Sequence, residues 1–240
     1  MKHKFFSLAA AAVLMPAVAS AQGTLTFDEA FLTAGGGIGT QYTIVTIGTQ
    51  GSATTEEGCS APDSDPATAT VLQECSFGSY SFSDNVTFQG SSQLNVYQFS
   101  SIAGLTPENF RLVLNALEND DQIDITTMAV VFYDNSGNVL YYATISGDTR
   151  VAEDQGIGNY GFAYTLDQGT INWLNTQNLS NVYIGAAGEF SSVTGNHETI
   201  YFTPAGVTST VPEPASMLLL GTGLLGIGAM ARRRQKKGQA

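Results

Sequence analysis

The chain has 240 residues, 21 acidic and nine basic, for a net charge of −12. The charge is unevenly placed: residues 22–211 hold 20 of the acids but only two bases, Arg111 and Arg150, and no lysine. A body this negative is repelled by nucleic-acid phosphates and by anionic lipid surfaces, which excludes both as partners of that part of the chain.

At the start, Lys2 and Lys4 precede an almost wholly apolar run over residues 5–18, and Ala19-Ser20-Ala21 supplies small residues. This is the pattern of a secretory signal peptide over residues 1–21. Signal peptidase is then a partner, with Ala19 and Ala21 at its small-residue positions and Gln22 as the first mature residue. The apolar run is short for a membrane span, which needs about 20 residues.

From Gln22 to Val211 the chain is long enough for one domain with a proper core. Short runs of β-branched and aromatic residues recur between turn residues. They are residues 24–27, then 42–47 after the flexible break Gly35-Gly36-Gly37, then 80–82, 86–88 and 94–99. Residues 128–133 and 139–145 flank Asp134-Asn135-Ser136-Gly137-Asn138, the clearest hairpin signal in the chain. Residues 160–166, 182–187 and 199–203 complete the series. The pattern predicts a mainly all-β single domain over residues 22–204, a β-sandwich or jelly roll.

Two segments read both ways. Thr106-Pro107-Glu108 resembles a helix start, and Phe110, Val113, Leu114 and Leu117 share one helical face. Phe110, Leu112, Leu114 and Ala116 also alternate as in a strand, and the β surroundings favour the strand. Residues 171–179 predict one helical turn around Trp173.

Cys59 and Cys75 lie in a polar stretch with Pro62 and Pro66. Two cysteines in an exported body predict one disulfide. No histidine is near them, and their spacing is not that of a zinc knuckle. The densest acidic stretch is Glu118-Asn119-Asp120-Asp121-Gln122-Ile123-Asp124. Asp120, Asp121 and Asp124 are candidate calcium ligands there, although the stretch lacks the glycine and the terminal glutamate of an EF-hand. A solvated turn is the plainer reading.

Enzyme chemistry finds little footing. Once the signal peptide is set aside, His197 is the only histidine, and there is no nucleophile elbow, histidine pair or phosphate-cradling loop. Two carboxylates suffice for glycoside hydrolysis without any local motif, so the acids keep that possibility open. Trp173, Tyr141, Tyr142, Tyr160 and Tyr164 are candidates for stacking on sugar rings, against the plainer role of core aromatics.

After a tether at residues 205–211 comes Pro212-Glu213-Pro214, whose two prolines keep the chain extended and accessible. The stretch 215–231 is free of charge and, as a helix, about 26 Å long, enough to cross a thin bilayer. Arg232, Arg233, Arg234, Lys236 and Lys237 follow, a cluster that stays cytoplasmic and so puts the body on the far side.

Pro-Glu-Pro, an apolar span rich in Gly and Leu, and a basic end over residues 212–240 together resemble the PEP-CTERM sorting domain. The resemblance covers about the last thirty residues. It implies recognition of Pro212, Glu213 and Pro214 by an exosortase in a Gram-negative bacterium, and a link to exopolysaccharide. The chain is then expected to be a non-enzymatic exported protein of the cell surface or extracellular matrix, structural or adhesive, held transiently in the inner membrane by its C-terminal span. A carbohydrate-binding module of that matrix is the alternative, and a secreted glycan hydrolase the third reading. No cofactor is expected other than calcium.

Overall fold

The computed structural model describes residues 21–29, 41–48, 54–62, 75–82, 94–116, 122–151, 161–193 and 197–205. Among these, twelve strands occur. They are β1 (Ala21–Phe27), β2 (Tyr42–Gly48), β3 (Thr55–Ser60), β4 (Cys75–Phe77), β5 (Tyr80–Phe82), β6 (Tyr97–Gln98), β7 (Phe110–Ala116), β8 (Gln122–Tyr133), β9 (Val139–Val151), β10 (Phe162–Leu166), β11 (Tyr183–Ser191) and β12 (His197–Pro204). One helix, α1 (Gln168–Asn175), follows β10. No helix among the described residues is long and apolar enough to cross a membrane.

The mainly β expectation holds. Ten strands form one hydrogen-bonded sheet in the order β2-β12-β7-β10-β1-β9-β8-β11-β3, with β6 also on β11, and β4-β5 make a separate two-stranded sheet. The large sheet curls until it is nearly a barrel: its two ends, β2 and β3, lie against each other. At one end of this seam Leu94 bridges to Val45, Asn95 N donates to Ile44 O at 2.8 Å, and Ser60 Oγ donates to Asn95 O. Curling brings exposed edges together, the usual remedy for a sheet of this many strands.

β1 is the pivot of the arrangement. Its first residues run parallel to β9, with Ala21 opposite Tyr141, and its last run antiparallel to β10, with Leu25 opposite Leu166. Alternation then sorts the side chains. Leu112, Leu114, Ile123, Ile125, Met128, Val130, Phe132, Ile200 and Phe202 line the interior. Ala129, Val131 and Tyr133 of β8 and Tyr142 of β9 face outward, yet are buried under Phe77 and Phe82 of the β4-β5 hairpin.

The hairpin signal at 134–138 is realised: Asp134 Oδ1 accepts from Ser136 N and Asn138 N, and Gly137 has φ 77°. Residues 110–116 are strand. The helix-start signal ahead of them is a turn in which Thr106 Oγ1 accepts from Asn109 N and Asn109 Oδ1 accepts from Thr106 N. That reciprocal cap needs only a turn, so β7 can follow at once. The turn expected around Trp173 is a helix of eight residues, started by Asp167, which accepts from Thr170 N at 2.7 Å.

Candidate functional site

Both arginines of the body are engaged at one end of the barrel, around the end of β1. Arg111 Nε donates to Asp28 Oδ2 at 2.7 Å. Arg150 holds Asp148 Oδ2 at 2.7 Å, and its guanidinium lies 3.4 Å above the centre of the Phe27 ring. Phe27 in turn packs on Tyr164 at 5.6 Å. Tyr164 Oη donates to Asp148 Oδ2 at 2.9 Å. Burial, then this bond to Asp148, pushes the Tyr164 phenol well up. Sequence order gives no hint that both arginines serve the same short strand.

The acidic stretch divides at the start of β8. Asp120 and Asp121 lie outside the described residues. Asp124 stands in β8, where Thr149 Oγ1 donates to its Oδ1 at 2.8 Å and Ser192 Oγ to its Oδ2 at 2.6 Å. Residues 122–127 are strand; the alternation of Ile123 and Ile125, both fully buried, was the signal for it. Among the described residues no three of His, Cys, Asp and Glu come together as a metal-holding group.

Two buried acids carry no signal in the sequence. Glu56 is 1% exposed and Glu198 is 0% exposed. In the register of β3 and β11, Glu56 lies opposite Phe190 and Cys59 opposite Ala187. Phe190 belongs to the interior cluster and Ala187 to the outer one, so Glu56 points inward. Glu198 lies opposite Ala116 and Ile47, both interior, and points inward too. Thr-Glu-Glu-Gly-Cys-Ser has no strand-like composition, and β3 exists through its pairing with β11.

The aromatic candidates are mostly core. Tyr164 is fully buried, and Tyr141 and Tyr142 nearly so. Trp173 is half-buried and stacks on Tyr141 with ring centres 4.6 Å apart. Tyr160 lies outside the described residues. Around Trp173 the surface is built of amides. Gln168 Nε2 donates to Asn172 Oδ1 at 2.9 Å, and Asn175 Nδ2 donates to Glu108 Oε1 at 2.8 Å. The Asn175 bond, foremost, lowers the Glu108 carboxyl.

Cys59 and Cys75 form the expected disulfide, with Cα atoms 6.2 Å apart, and it ties β3 to the β4-β5 hairpin. His197 opens β12, opposite Gly48. Ala19, Pro212, Glu213, Pro214, the apolar span and the basic tail lie outside the described residues. Ala21 and Gln22 are the first residues of β1.

The PEP-CTERM protein-sorting motif matches residues 210–234. No curated protein and no solved structure matches the chain.

Proposed function

We propose that this chain is an exported, exosortase-sorted protein whose β domain is displayed at the cell surface or released into an exopolysaccharide matrix, with a structural or adhesive role and no enzymatic one. The observation that carries the reading is the sorting motif at residues 210–234. A chain bearing this motif is a substrate for exosortase, exported to the envelope of a Gram-negative cell. A domain stapled by a disulfide suits an oxidising exterior.

The sorting half is tested by changing Pro212, Glu213 and Pro214 to alanine. Export should continue, while the protein stays in the inner membrane with its basic tail, as read by fractionation and intact mass. Arrival of that variant at the surface with the normal processed mass would rule out recognition of the motif. The matrix role is tested by comparing retention of the protein on cells that make exopolysaccharide and cells that do not; equal retention counts against it.

A second reading, carbohydrate binding, is favoured by one feature: the half-buried Trp173 among the amides of α1. Against it stands the burial of Tyr141, Tyr142 and Tyr164, which takes three of the five candidate rings away from any sugar. A polysaccharide array separates the two readings.

A further inference from the structure

The chain enters and leaves the barrel at one end. β1 starts there, with Ala21 beside Tyr141 near the start of β9. β12 finishes there, with Pro204 opposite Phe110, the first residue of β7. Ala205 N then donates to Asn109 O at 2.6 Å, and the neighbouring Glu108 accepts from Asn175 Nδ2 of α1 at 2.8 Å. Both apolar segments of the sequence, residues 5–18 before β1 and 215–231 after β12, therefore join the domain at the end that carries α1. From Ala205 to Ala215 the chain reaches at most about 36 Å. β9 alone is about 43 Å long, so an inverted domain would need that stretch pulled straight along its side.

The two ends differ in chemistry. At the α1 end Gln168, Asn172, Asn175, Asn178, Asn181 and Asn135 are exposed, and Trp173 of α1 is half-buried. Three carboxylates described at this end all serve as acceptors: Glu108 for Asn175, Asp134 for Ser136 and Asn138, and Asp167 for Thr24 and Thr170. At the opposite end, where β7, β9 and β11 finish and β8 begins, stand Glu57, Asp124, Asp148 and Glu189. In the sequence, Glu118, Asp120 and Asp121 come between β7 and β8, and Glu153 and Asp154 follow β9. Repulsion from anionic lipid acts hardest on that end. A neutral surface of amides with a tryptophan suits the headgroup zone of a membrane, where tryptophan is enriched.

We propose that the α1 end is the membrane-facing surface of the span-bearing chain, with Trp173 turned to the lipid headgroups and the acidic end pointing away from them. This rests on the reading that residues 215–231 cross the membrane. Tether and charge act in the same sense: one holds the α1 end close, and the other drives the opposite end outward. The surface that favours carbohydrate binding is then turned to the membrane until the span is removed.

Trp173 is the only tryptophan in the chain, so its fluorescence reports on this surface without any label. The test uses the full-length chain reconstituted into phosphatidylcholine vesicles, with and without a nitroxide on the lipid headgroup. Flotation with the vesicles checks the span. In the floated protein Trp173 should lose fluorescence when the nitroxide is present. A second chain, Trp173→Phe with Val151→Trp, moves the tryptophan to the opposite end, at a residue 62% exposed, and should keep its fluorescence. Phenylalanine at 173 retains an aromatic ring to stack on Tyr141. Floated protein whose Trp173 keeps its fluorescence overturns the proposal, whether or not the second chain folds. Equal or greater loss in the second chain overturns it too, since the domain then lies on its side or inverted. Failure of the unaltered chain to float overturns the reading of the span, and the proposal with it.

Discussion

Reducing the Cys59–Cys75 disulfide should cost on the order of 3 kcal/mol, the loop entropy of a closure spanning 16 residues. The structure says where that cost falls. The β4-β5 hairpin makes its own two-stranded sheet and is tied to the rest of the domain by the disulfide and by Phe77 and Tyr80 packed on Tyr142, with Phe82 buried in the same cluster. For a domain of this size, about 3 kcal/mol corresponds to a fall in melting temperature of about 6–12 °C. Circular dichroism melts of the purified protein, with and without reductant, measure it. Cys59→Ala with Cys75→Ala should fall further than reduction alone, because two buried sulfurs are then missing as well as the link. Hydrogen exchange should show the loss first at residues 75–82. A melt shifted by less than about 2 °C on complete reduction would refute the reasoning, since the hairpin would then be held by packing alone.

Asp167 caps α1 through Thr170 N and also accepts from Thr24 N of β1 at 2.8 Å. Asp167→Ala should therefore cost about 2 kcal/mol in urea unfolding, a lost cap plus a lost charge-assisted bond. Burial works against the Asp167 charge, but the bonds from Thr170 and Thr24 outweigh it and lower the carboxyl below the usual 3.8. The folded value lies below the unfolded one, so the charge-linked part of this contribution is present at neutral pH and fades as the pH falls through the folded value; the gap in stability between the variant and the unaltered protein should narrow there. At Gly185 a side chain would run into the Ser60 carbonyl oxygen, where β3 meets β11. Gly185→Ala should destabilise by about 2–3 kcal/mol, measured by the same unfolding curves.

Elements whose own residues carry the pattern were legible in the sequence. Residues 134–138 could be read as a hairpin turn because their side-chain and glycine chemistry is local. β7 could be read as strand because Phe110, Leu112 and Leu114 alternate, and the competing helix signal came from a cap that serves a turn equally well. β3 was not legible: its glutamates and glycine are poor strand formers, and its place is set by β11, over 120 residues away. The expected sandwich is met only as far as a mainly β domain, since what curls the sheet is pairing across the chain, not any local run. The buried acids followed β3 into obscurity. Glu56 points inward only once the register with Phe190 is known.

The position of β1 has a consequence for the timing of assembly. The first strand of the domain finds its partners at residues 141–144 of β9 and 164–166 of β10, where Leu25 meets Leu166 and Phe27 meets Tyr164. β2 waits longer still, for residues 197–202 of β12. On the proposed export route, a chain that crosses a membrane N-terminus first delivers these strands with nothing to pair with until most of the body has followed. The last of the described strands, ending at Pro204, comes just before the sorting motif that begins at residue 210. On that route the barrel would close only as the motif reaches the membrane, and the domain would travel as an open chain until its sorting.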